Sequence, residues 1–201
     1  MVHIGHFSRV NRTQPPALTP HRWRTGINSP WCTPLDKRRI ATQVALFGML
    51  GGLTFAAKVA MMALPNIEPV SLLIMVYAVT MGKKCLFPVY IYVLLELLVY
   101  GIGIWSIGYI YVWPLLALAA WLLRDMKSPF GWAVVSGGFG LLFGALFAPM
   151  QLLIGGPGFA LSWWLSGIPF DLIHCGANFA LALILFVPLR RLLTRLLADR
   201  I

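Results

Sequence analysis

The chain has 201 residues, of which 59% are hydrophobic and 11% charged, and a mean hydropathy of +0.80. A soluble domain carries about 25% charged residues, so the composition excludes one and indicates a single integral membrane domain. The net charge of +10 could point to nucleic acid, but the basic residues sit at the ends of apolar segments, where they set membrane orientation instead.

Residues 1–40 contain seven Arg/Lys, one Asp and five Pro, with no apolar run. They are expected to form a basic, disordered cytoplasmic tail, without the apolar region of a secretory signal or the amphipathic helix of a transit peptide. His3, His6 and His21 are too scattered for a metal, and Cys32, Cys85 and Cys175 form no CxxC pair. No metal site and no disulfide framework is expected.

The first apolar segment covers residues 41–63 and is interrupted only by Gln43, Thr54 and Lys58. At about 1.5 Å per residue it is roughly 35 Å long, enough to cross a bilayer. Gly48, Gly52, Ala56 and Ala60 recur every four residues along one face, where another helix backbone can approach closely. That seam packs either on the chain's own helices or on a partner. A polar corner, Pro65-Asn66-Ile67-Glu68-Pro69, follows.

Further apolar segments cover 72–81, 86–104, 109–123 (with Pro114 as an expected kink), 132–154 and 167–189. The predicted fold class is all-α: a six-helix transmembrane bundle over 41–190, with a basic cytoplasmic end at 191–201. Five spans with 72–81 re-entrant is the alternative. With the N-terminus inside, the cytoplasmic side collects 15 of the 16 Lys/Arg, and Lys58 lies within the first span. The outer connections, around 64–70, 103–108 and 155–166, contain none. So one-sided a distribution places both termini inside.

The outer side has a different chemistry. Asn66, Glu68, Ser71, Trp105, Tyr109, Tyr111, Trp113, Gln151, Trp163 and Trp164 fall on its connections and adjoining helix ends. Glu96 lies deeper, and Asp171, His174 and Asn178 share one face of the last span at i, i+3 and i+7. Ionisable groups at membrane depth usually face a bundle interior or cavity, and aromatics with convergent polar groups suit a pocket for a flat polar molecule. Simpler roles stand beside this one: interfacial belt residues for the aromatics, a packing hydrogen bond for His174, and pairing with His174 or Lys58 for Glu96. There is no nucleophile motif, no HExxH and no phosphate loop, so catalysis is not expected, and no cofactor is implied.

Ala56-Ala57-Lys58-Val59-Ala60 with Gly52, and the run from Leu64 to Trp105 (LPNIEPVSLLIMVYAVTMGKK, then YVLLELLVYGIGIW), resemble the substrate-binding S components of energy-coupling-factor (ECF) transporters. The resemblance covers roughly residues 41–190. It implies a multi-pass protein of a prokaryotic plasma membrane that captures a vitamin-like micronutrient at the outer face. Its partners would be a coupling transmembrane subunit and two ABC-type ATPases, and it would bind no nucleic acid. Docking would fall to Gly48, Gly52, Ala56 and Ala60. Ligand contacts would come from Asn66, Glu68, Glu96, Tyr100, Trp105, Gln151, Trp164, Asp171, His174 and Asn178. A membrane scaffold or assembly protein without a ligand is the alternative, with a membrane-embedded enzyme behind it.

Overall fold

The computed structural model describes residues 34–64 and 67–198, with side chains from Lys37 onward. Most of the basic tail, and Asn66 in the polar corner, lie outside the described residues. Within them the chain is all-helical: α1 (Pro34–Ala60), α2 (Val70–Met81), a 3₁₀ turn (Gly82–Cys85), α3 (Leu86–Tyr100), α4 (Ile104–Leu122), α5 (Pro129–Leu141) and α6 (Phe143–Leu197). Among them are four helical stretches long and apolar enough to cross a membrane, Lys37–Ala60, Val70–Tyr100, Ile104–Leu122 and Pro129–Leu197.

Several boundaries differ from the sequence expectation. Helix α1 is already helical at Pro34, the first described residue, ahead of the apolar run. The long outer connection expected at 155–166 is helical apart from one residue. Gly156, at φ 77°, breaks α6 into arms 143–155 and 157–197. Pro157 then starts the second arm, and FALSWWLS offers nothing to stop it. This arm is roughly 60 Å long at 1.5 Å per residue and carries Arg190, Arg191 and Arg195 beyond a span's length. Leu142 separates α5 from α6 by a single residue. Helix α4 runs through Pro114 without interruption.

Side-chain pairings fix the helix directions. Phe47 stacks on Phe87 at 5.2 Å and Lys58 reaches Glu96, so α1 and α3 run parallel. Helix α2 packs mainly against α4 and α6 and meets α1 where the Tyr77 hydroxyl lies 3.1 Å from that of Thr54. Trp132 stacks on Phe186 at 4.3 Å, and Asp171 meets Gly144, so α5 opposes the second arm of α6. The directions gather the starts of α1, α3 and α5 with the ends of α2, α4 and α6. All described Lys/Arg except Lys58 therefore lie towards one end of the bundle. Lys83 and Arg124 both sit over the Trp121 ring there, at 5.8 and 5.0 Å.

The centre is α2. It is apolar on every face, as expected for a helix surrounded by others, and buries Val70, Leu72, Ile74, Met75, Val76 and Ala78. Beside it stands an aromatic stack of Tyr92, Tyr109, Trp113, Phe143 and Phe147. Trp113, expected near the outer face, is fully buried in this stack. Close helix approach depends on absent side chains. A Cβ at Gly140 would lie 2.8 Å from the His174 backbone, and one at Gly51 would lie 2.6 Å from Ile91.

The small-residue seam points the other way. Gly48, Ala56 and Ala60 are exposed and Gly52 is half-exposed. Among the described residues, nothing lies within 4 Å of a Cβ built on Gly48 or Gly52. Phe47, Leu50, Gly51 and Thr54 form the buried face of α1 instead. The seam is therefore not used by the other described helices.

Candidate functional site

At the end opposite the basic residues, a cavity of about 750 Å³ opens between α1, α3, α4 and both arms of α6. That volume lies within the range of small-molecule sites. Its floor is an ion pair. Lys58, from the last turn of α1, donates to Glu96 Oε2 at 2.6 Å, and their side chains are 20% and 5% exposed. The ammonium also lies over the Tyr100 and Tyr109 rings, at 5.6 and 5.1 Å. Such a partner offsets the cost of burying a carboxylate this deep. The second oxygen, Glu96 Oε1, is buried without one.

The opposite wall arises from the break at Leu142. Because α6 starts afresh at Phe143, the Gly144 amide falls in a first turn, where N–H groups lack intrahelical acceptors. It donates to both Asp171 oxygens at 3.1 Å. A Cβ on residue 144 would lie 2.6 Å from Asp171 Oδ2, so glycine allows this approach. One turn further, His174 packs edge-on against Phe143 at 4.8 Å, and its Nε2 is buried without a partner. Trp105 and Trp163 form the rim, their centroids 5.8 Å apart. Glu68, from the corner between α1 and α2, also lines the cavity. Burial pushes its carboxyl above the ordinary range; Lys58 pulls it down and Glu96 adds to the rise.

Six of the ten ligand-contact candidates line this cavity: Glu68, Glu96, Tyr100, Trp105, Asp171 and His174. Asn66 lies outside the described residues. Asn178 shares the Asp171 and His174 face but sits below the cavity, donating to Ser71 Oγ at 3.1 Å and the Ser136 carbonyl at 3.3 Å. It ties α6 to α2 and α5. Gln151 is fully buried but off the cavity wall. Trp164 faces outward and Trp163 turns in, as neighbours about 100° apart on a helix must. The set of ten also omits Lys58, Tyr109, Trp163 and Phe143. Lys58 had a signal, being the one charge in an apolar span.

No protein-family model, curated protein or solved structure matches the chain.

Proposed function

We propose that the protein is the substrate-capture subunit of an ATP-driven, ECF-type micronutrient importer in a prokaryotic plasma membrane, with both termini in the cytoplasm. The cavity carries this reading. It is roomy, rimmed by aromatics, contains buried polar atoms without protein partners, and lies away from the basic end that the charge rule assigns to the cytoplasm. The outward seam of α1 supports a docking role, since Gly48, Gly52, Ala56 and Ala60 leave a backbone open to a helix from another chain. A ligand-free scaffold would have no use for a lined cavity.

Mild-detergent purification of the tagged protein from its native membrane, with mass spectrometry of the co-purifying proteins, tests the assignment. Recovery of paired ABC-type ATPases with a coupling membrane protein is expected. Recovery of other membrane machinery without an ATPase would overturn it.

A further inference from the structure

The cavity's charge balance points to the chemistry of its ligand. Three carboxylates, Glu68, Glu96 and Asp171, face one ammonium, that of Lys58. The Lys58–Glu96 contact is the only ion pair among the described residues, so Asp171 has no cationic partner and is held by the neutral Gly144 amide alone. Glu68 is costly to ionise where it stands, because burial outweighs the attraction of Lys58 and Glu96 adds repulsion. Two further observations ask for a ligand. Glu96 Oε1 and His174 Nε2 are buried atoms of cavity-lining residues, themselves 4% and 3% exposed, and lack partners among the described residues. The carboxylate oxygen can only accept, so it needs a donor.

The aromatic rim adds a preference of its own. Ring faces attract cations, and Trp105 and Trp163 offer them beside the acidic groups. A bound anion would face three carboxylates and gain one ammonium that is already paired. A bare metal ion fits poorly, because among the described residues no three His, Cys, Asp or Glu side chains converge as ligands.

Building on the capture reading, we propose that the cavity accepts a flat organic cation, a nitrogen heteroaromatic bearing positive charge and at least one N–H. The charged end lies towards Asp171 and Glu68, the ring lies against Trp105 and Trp163, and the N–H donates to Glu96 Oε1.

Size-matched bicyclic probes test this by equilibrium dialysis against the purified full chain in nonionic detergent. The probes are 4-amino-1-methylquinolinium as cation, 4-amino-1-methyl-2-quinolone as neutral analogue and quinoline-4-carboxylate as anion. The cation should bind at least ten-fold more tightly than either of the others. Asp171→Asn and Glu68→Gln, each checked for native elution and helicity, should lose most of that preference. Equal or tighter binding of the anion, no binding of any probe, or an unchanged preference in both folded variants would overturn the proposal. The capture reading stands or falls separately: an ATPase-containing complex combined with anion preference removes only the cation, and cation preference without an ATPase removes only the importer.

Discussion

Lys58→Met should damage the protein more than Glu96→Gln, although both break the same contact. The lysine variant leaves a carboxylate that is 5% exposed without its cation. Stranding a buried charge in this way costs about 3–5 kcal/mol. The glutamine variant leaves an ammonium that is 20% exposed and still beside two tyrosine rings, at a cost of about 1.5–3 kcal/mol for the weakened charged hydrogen bond. Replacing both with apolar residues, Lys58→Met with Glu96→Leu, should return stability to within about 1 kcal/mol of the parent, because neither desolvated charge remains. At about 2–4 °C per kcal/mol for a chain of this size, Lys58→Met lowers the thermal midpoint by at least roughly 6 °C. The double variant lies within a few degrees of the parent. Thermal unfolding in nonionic detergent, followed by near-UV circular dichroism, measures all three. Additive losses in the double variant, or equal losses in the two single ones, would refute the argument that an unpaired buried charge dominates. The double variant should also fold without binding ligand, since Glu96 Oε1 has gone.

Other outcomes follow from single positions. Gly140→Ala forces α5 from the second arm of α6, whose backbone lies 2.8 Å from the new Cβ, and should cost about 1–3 kcal/mol in thermal or denaturant unfolding. Ala56→Leu fills the outward seam and touches nothing in the cavity, so uptake should fail in whole cells while ligand affinity in detergent is unchanged. Normal uptake would count against the docking role. Glu68 has a carboxyl raised by burial, so its ionisation opposes folding above the raised value and that penalty fades as pH falls towards the ordinary 4.5. Glu68→Gln should therefore raise the thermal midpoint of ligand-free protein at neutral pH, with a gain that shrinks in acid.

The sequence alone determined the all-helical character, the one-sided distribution of basic residues and the existence of a small-residue seam on α1, though not that the seam is open. These follow from properties that sum along the chain or repeat with the helix period, so spacing is enough to place them. It also placed Asp171, His174 and Asn178 on one face, but not where that face led. Tertiary structure sent Asp171 and His174 into the cavity and Asn178 into a bond with Ser71, 107 residues away. It turned Trp163 inward and Trp164 out, and brought Lys58 to Glu96 rather than leaving Glu96 to His174. Tertiary structure also replaced a twelve-residue connection with one glycine at φ 77°. Each of these outcomes depends on helix rotation and on where one helix meets another. Both are fixed by close packing at glycines such as Gly51, Gly140 and Gly144, whose neighbours lie far away in sequence.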